Sequence, residues 1–241
     1  TFSVKEMVIQ VDDYAGGYDT LTLTFEIAKE NAWGEGEAMP TARWVLSAVA
    51  VDSTIYAIGG CVSNYFGSLF QQSVTGAVET FDIGSGKWSS AQSIPSKRFA
   101  AAAAAVGTKI YVFGGASFTS AVNTIEIFDT ETQKWDGSID MPAQRQAMAV
   151  AAHDGLVYVI GGVTVDNKGQ YELSTSIDAF DPSDSSWEHI DDMESARYHH
   201  QAVVAGGKIY ILGGLGDSNA PLKTVEILTI SSSTLTGGKS M

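Results

Sequence analysis

Arginine is rare in this 241-residue chain and occurs at one fixed position of a recurring pattern. Each arginine lies ten positions after a tryptophan and sixteen positions before a Gly-Gly pair. A guanidinium group presents a planar fork of donors that binds a carboxylate through two hydrogen bonds, which lysine cannot reproduce. If the fold gathers this repeat phase around one axis, the side chains form a ring suited to an acidic or polar peptide. The candidate partner-binding arginines are Arg43, Arg98, Arg145 and Arg197.

An acidic residue marks a second fixed position of the same pattern. It lies nine positions before each later tryptophan, and in the last repeat nine positions before Leu235. These acids give the arginines an alternative role, in which each arginine is a structural strut paired with an acid or with backbone carbonyl groups. The two roles do not exclude each other. The acids are Glu79, Glu126, Asp178 and Glu226.

The segments ahead of the glycine pairs read Ile-Tyr-Ala-Ile, Ile-Tyr-Val-Phe, Val-Tyr-Val-Ile and Ile-Tyr-Ile-Leu. The intervals between successive arginines are 55, 47 and 52 residues, close to the roughly 50 residues of a kelch unit. The order of arginine, hydrophobic-Tyr-x-hydrophobic-Gly-Gly, Glu/Asp-x-Phe-Asp, tryptophan and Met-Pro closely resembles the kelch repeat family over residues 41–241. The resemblance implies an all-β fold, a kelch-type β-propeller of four-stranded antiparallel blades.

The hydrophobic pattern predicts such blades on physical grounds as well. The second apolar segment of each repeat is continuous rather than alternating, so both of its faces are expected to be buried. Sheets stacked face to face around an axis create that condition. The run Ala100–Ala105 has high helix propensity, but its phase favours the innermost strand of a blade, where small side chains fit.

We expect residues 1–241 to form a single kelch β-propeller domain. Residues 1–40 are expected to form a partial or degenerate N-terminal blade, with strands at 8–11 and 21–25. The propeller is then five-bladed, or six-bladed if the sequence is a fragment. The four clear repeats are expected at 41–95, 96–142, 143–193 and 194–241.

The link between the second and third strands varies most in length among the repeats. The interval from the second glycine to the acid is 19, 11, 16 and 12 residues, and an antiparallel meander places this link on the rim that bears the arginines. Loops on a rigid scaffold commonly carry binding residues, and aromatic side chains are frequent hot spots. The predicted rim contacts are therefore Tyr65, Phe66 and Tyr171. Strand alternation turns the neighbours of three arginines away from the arginine side chains, so Trp44, Phe99 and Tyr198 are assigned to packing.

In kelch-like substrate adaptors of cullin ubiquitin ligases, arginines at this motif position line the pocket that receives acidic peptides. The resemblance therefore implies a non-catalytic scaffold or adaptor that binds a protein or peptide partner within a larger complex. On this interpretation the chain has no catalytic, cofactor-binding or metal-binding residues.

The alternative is a carbohydrate-active or copper radical enzyme on the same scaffold, resembling galactose oxidase or the sialate epimerases. A copper radical site needs converging His and Tyr ligands and a Cys-Tyr crosslink. Cys61 has Tyr65 nearby, and His199 and His200 are adjacent. Neighbouring residues of a strand point to opposite faces, so the two histidines are not expected to bind one metal ion.

Charge narrows the range of partners further. The formal net charge is −14 and the isoelectric point is about 4.5. Such a field repels nucleic-acid phosphates and anionic lipid headgroups, so neither nucleic acid nor membrane insertion is expected. A single cysteine excludes an intrachain disulfide, and the N-terminal residues lack a signal-peptide pattern. We expect a soluble, acidic, cytoplasmic protein.

Overall fold

The computed structural model describes residues 3–12, 18–27, 35–62, 74–117, 120–166, 168–230 and 234–237. The chain divides into two compact units, residues 1–37 and residues 38–241. Among the described residues, no helix has the length and hydropathy that a bilayer crossing would require.

The first unit contains an antiparallel hairpin of strands β1 (Ser3–Asp12) and β2 (Tyr18–Ile27). The strands expected at 8–11 and 21–25 lie within β1 and β2 and are confirmed as strands. The assignment of residues 1–40 to a partial blade of one domain stays a prediction.

Four antiparallel sheets of four strands make up the main part of the second unit, and each sheet follows the chain as a meander. The first sheet consists of β3 (Ser47–Val51), β4 (Thr54–Ile58), β5 (Val78–Asp82) and β6 (Lys87–Ala91). The second consists of β7 (Ala102–Val106), β8 (Lys109–Phe113), β9 (Thr124–Asp129) and β10 (Lys134–Asp140). The third consists of β12 (Ala149–His153), β13 (Leu156–Ile160), β16 (Ser176–Asp181) and β17 (Ser186–Asp192). The fourth consists of β18 (Gln201–Ala205), β19 (Lys208–Leu212), β20 (Val225–Thr229) and β21 (Thr234–Gly237).

A small additional sheet is formed by segments that precede the first strand and follow the second strand of the third blade in sequence. It consists of β11 (Gln144–Gln146), β14 (Val163–Val165) and β15 (Tyr171–Leu173), with β14 between the other two strands. A short 3₁₀ turn covers Asp217–Asn219 in the fourth blade. The four-stranded antiparallel blades confirm the predicted all-β kelch-type architecture.

The second strands of the first three blades are buried on both faces, as their continuous apolar runs predict, whereas β19 of the fourth blade is fully buried on one face only, at Ile209 and Ile211. On β8, Ile110 and Val112 pack with Ile58 of the first blade. On the opposite face of β8, Phe113 packs with Phe180 of the third blade. The ring centroids are 5.8 Å apart in an edge-on arrangement. Alternating side chains of one strand thus join two neighbouring blades.

The first strands of successive blades contact one another, β3 with β7, β7 with β12 and β12 with β18. The alanine run Ala100–Ala105 supplies most of β7 and is confirmed as strand from Ala102 onward. Ala100 itself precedes the strand with a positive φ of 51°. Small side chains permit the close approach of β7 to two neighbouring strands, so packing overrides the helix propensity of alanine.

Candidate functional site

Each arginine side chain is directed into its own blade, where it forms an ion pair with the acid of its repeat. The nitrogen–oxygen distances are 3.0 Å for Arg43–Glu79, 3.1 Å for Arg98–Glu126 and 2.8 Å for Arg145–Asp178, and Arg197 pairs with Glu226 in the same way. The arginine side chains are between 0% and 10% exposed. This geometry is that of a structural strut. A direct contact between these arginines and a partner stays a prediction.

Arg98 illustrates how completely a strut is satisfied. Its Nε donates to the Ser96 carbonyl, its Nη1 donates to the carbonyls of Gly114 and Thr124, and its Nη2 donates to Thr124 Oγ1 and lies 3.1 Å from Glu126. All five N–H donors of the guanidinium therefore have acceptors within the blade. Burial lowers the pKa of Arg98, while the charge of Glu126 acts in the opposite direction. A guanidinium is so strongly basic that it stays protonated in spite of this lowering.

The glycine pairs let the arginine backbone of the next blade come close. The Gly115 N–H donates to the Arg145 carbonyl at 2.8 Å. A Cβ atom at Gly114 would lie 2.2 Å from that carbonyl oxygen, and Gly114 has a φ of +48°. No other residue type fits such an approach without displacing the backbone. The first three pairs make this contact, and each of them therefore fixes the position at which the next arginine enters its blade.

A chain of backbone hydrogen bonds links the residues that lie two positions after each arginine. The Ala100 N–H donates to the Val45 carbonyl at 3.1 Å, the Ala147 N–H to the Ala100 carbonyl at 2.8 Å, and the His199 N–H to the Ala147 carbonyl at 2.9 Å. All four residues have positive φ angles, between 51° and 53°. Strand geometry is therefore interrupted between each arginine and the first strand of its blade.

The residues at this interruption and the neighbours of the arginines line a shared cavity of about 300 Å³, which we call the aromatic cup. Tyr198 closes one side, where its hydroxyl donates to Asn219 Oδ1 and its ring lies 5.1 Å from that of His199. Partial burial lowers the pKa of His199. The cup is lined by Trp44, Val45, Phe99, Ala100, Gln146, Ala147, Val163, Tyr198 and His199.

The aromatic cup bears on the three aromatic neighbours of the arginines. Strand alternation predicts that Trp44, Phe99 and Tyr198 turn away from the arginine side chains, and these residues line the cup while the arginines are buried in ion pairs. Their assignment to packing left the cup out of the predicted partner site. The available signal was the repeat phase, because the position after the arginine is aromatic in three of the four repeats.

The predicted rim contacts lie in different parts of the chain. Tyr171 is 62% exposed on β15, in the sheet that also contains Arg145 on β11. Tyr65 and Phe66 lie outside the described residues. Their roles in partner binding stay predictions.

The residues that suggested a copper site have other surroundings. Cys61 is fully buried and pairs in β-bridges with Trp44 and Val74. His199 and His200 precede β18 rather than lying within a strand, and His200 is 3% exposed. Within the described part of the chain, no group of three or more His, Cys, Asp or Glu side chains is placed to hold a metal ion.

Comparison with protein families agrees with this architecture. The model of the KLHDC2/KLHL20/DRC7 Kelch-repeats domain matches residues 35–214, and the model of the Kelch motif matches residues 196–234. A search of curated proteins gives no significant match. Domains of this type are generally protein–protein interaction modules and typically lack catalytic activity. The matched region covers most of the chain, which therefore belongs to the kelch-repeat family.

Proposed function

We propose that this chain is a non-catalytic adaptor that holds a segment of a protein partner in the aromatic cup. The observation that supports this function is the cup itself, a cavity of about 300 Å³ lined by side chains from all four blades. Hydrogen bonds between blades hold its floor. Binding to such a preformed surface costs little ordering entropy.

The chemistry of the cup favours an apolar anchor on the partner. Trp44, Phe99 and Tyr198 supply apolar walls, while Gln146 and His199 offer hydrogen bonds to a peptide backbone. The arginines below the cup are each neutralised by an acid of the same blade, so they add little net positive charge. An acidic peptide would gain an arginine contact only if that arginine left its ion pair.

The arginines have an indirect role in this proposal. Their ion pairs fix the chain segments that lead into the first strand of each blade, and most of the cup residues belong to these segments. Tyr171, with its largely exposed side chain, extends the proposed surface outward from the cup. Tyr65 and Phe66 of the longest link are further candidate contacts from the sequence. Exposed aromatic side chains suit the edge of an interface whose centre is a buried pocket.

The test compares partner capture by three versions of the chain. The double variant Phe99→Ala/Tyr198→Ala removes two walls of the cup, and Ile83→Ser changes an exposed side chain that does not line it. We expect partners captured by the parent to be retained by Ile83→Ser and lost from the double variant, with a cost of about 2 kcal/mol for each aromatic hot spot. Quantitative mass spectrometry of the captured proteins gives the measurement, and thermal unfolding confirms that each version is folded. Capture of the same partners by all three versions contradicts the proposal.

A further inference from the structure

The third blade departs from the other three at its ion pair. In the first and second blades, the residue two positions before the arginine donates to the acid, Thr41 to Glu79 and Ser96 to Glu126. In the fourth blade the Glu194 N–H donates to its acid. The third blade has Ala143 at the position of Thr41 and Ser96, and it has aspartate in place of glutamate.

The shorter acid of the third blade is held from other directions. Asp178 accepts hydrogen bonds from Arg145 at 2.8 Å and from the Ser176 hydroxyl, and its second oxygen lies 3.1 Å from His189 Nδ1. Burial raises the pKa of Asp178, but the Ser176 hydrogen bond and the charge of Arg145 outweigh burial and bring it below the ordinary value. Asp178 is therefore ionised and neutralises Arg145.

A cavity of about 320 Å³ remains where the other blades have their extra hydrogen bonds. We call it the third-blade cavity, and it shares no lining residue with the aromatic cup. Its volume is at the lower end of the range for small-ligand sites. Its apolar lining comes from Met141, Pro142, Ala143 and Trp187.

Two residues that line this cavity each have a buried donor without an acceptor among the described residues, Arg145 Nη1 and Trp187 Nε1. In the second blade both equivalent groups are satisfied, because Trp135 Nε1 donates to the Gln92 carbonyl at 3.0 Å and Arg98 Nη1 donates to two carbonyls. A buried donor without an acceptor costs about 1–3 kcal/mol. A bound acceptor would recover that cost.

We propose that the third-blade cavity binds an internal segment of a partner peptide, which places an apolar side chain on Trp187 and a neutral backbone amide carbonyl at the unpaired donors. Neutrality follows from the local charges. Asp178 balances Arg145, and Glu188 at the cavity adds a further negative charge, so a carboxylate is repelled while a carbonyl is not. This site is independent of the aromatic cup.

Two small probes test the proposal on the intact chain. N-acetyl-leucinamide represents an internal residue, and N-acetyl-leucine has the same apolar body with a chain-terminal carboxylate. The indole N–H signal of Trp187 in ¹⁵N-labelled protein reports binding, and the signal of Trp135, whose indole is already paired, is the internal control. We expect the neutral probe to shift the Trp187 signal saturably. It should bind about tenfold more tightly than the carboxylate, because one buried hydrogen bond changes the free energy of binding by roughly that amount.

Two variants complete the design. Ala143→Leu fills the cavity and should abolish the shift of the Trp187 signal on addition of the neutral probe. The Trp135 signal should stay at the position that it has in the parent. Trp187→Phe keeps an apolar wall but removes one donor, so calorimetry should give an affinity for N-acetyl-leucinamide about tenfold lower. The proposal is overturned if the neutral probe does not move the Trp187 signal, if either variant binds it as well as the parent, or if the carboxylate binds more tightly.

Discussion

His200 should make this domain lose stability in mildly acidic solution. Its side chain is 3% exposed, and its ring lies against glycine, because a Cβ atom at Gly161 would come within 3.0 Å of His200 Cε1. Burial, assisted by the positive charge of Arg197, lowers the pKa of His200 from 6.5 to about 4. The folded protein therefore keeps this ring neutral at a pH where the unfolded chain has already protonated it.

The sign and size of the effect follow from proton linkage. Below the unfolded pKa of 6.5 the unfolded state binds the proton and the folded state does not, so stability falls with pH until the folded pKa of about 4 is reached. The difference between these pKa values corresponds to at most about 3–4 kcal/mol, because one pKa unit is worth about 1.4 kcal/mol. By pH 5 the loss should be about 2 kcal/mol.

Urea unfolding of the parent and of His200→Leu between pH 7.5 and pH 5 measures this loss. The difference between the two stabilities should change by about 2 kcal/mol over that range, whereas His153→Gln, at a partly exposed histidine, should follow the parent. Burial also lowers the pKa of His199. The stability of His200→Leu should therefore still fall somewhat with decreasing pH. Parallel curves for the parent and His200→Leu would show that the ring is not held neutral by the fold.

Two further predictions concern the contacts that join and brace the blades. Gly114→Ala should lower the free energy of unfolding by more than about 3 kcal/mol, because its Cβ atom would lie 2.2 Å from the Arg145 carbonyl oxygen. The control Gly107→Ala has a similar φ of +59° and open space around it, and should lower this free energy by about 1 kcal/mol. Equal losses in urea unfolding would refute the close approach. Arg98→Ala should cost about 3–5 kcal/mol because it leaves Glu126 buried and unpaired, and Arg98→Met/Glu126→Leu should recover most of that loss. A loss below about 1 kcal/mol in the single variant would mean that this arginine is not a strut.

Much of the fold could be predicted because its signals are local and recur. A continuous apolar run before each glycine pair identifies the strand that is buried on both faces, and β8 confirms this with Val112 against one blade and Phe113 against the next. The fixed position of the acid in each repeat predicts by itself that the acid is an alternative partner for the arginine. Fixed spacing between complementary charges is information that a single sequence carries.

The aromatic cup could not be predicted in the same way, because the backbone turn that forms it has no local sequence signal. The four residues with positive φ are Val45, Ala100, Ala147 and His199, and none is glycine. Each such residue costs about 1–2 kcal/mol. The compensating hydrogen bonds run to the preceding blade, for example from Ala147 to Ala100, so they arise only when the blades are assembled.

The repeats share the residues that form the framework of the cup and differ in the side chains that line it. The arginine and both glycines are the same in all four repeats, and these residues form the contacts within and between blades. The residue after the arginine is Trp44, Phe99, Gln146 or Tyr198, and these side chains project into the cavity. The chain of hydrogen bonds between the blades uses only backbone groups. The cup side chains can therefore differ in size and polarity without altering these hydrogen bonds. If the cup binds a partner as proposed, a kelch blade of this kind can change what it recognises at one position while its framework stays fixed.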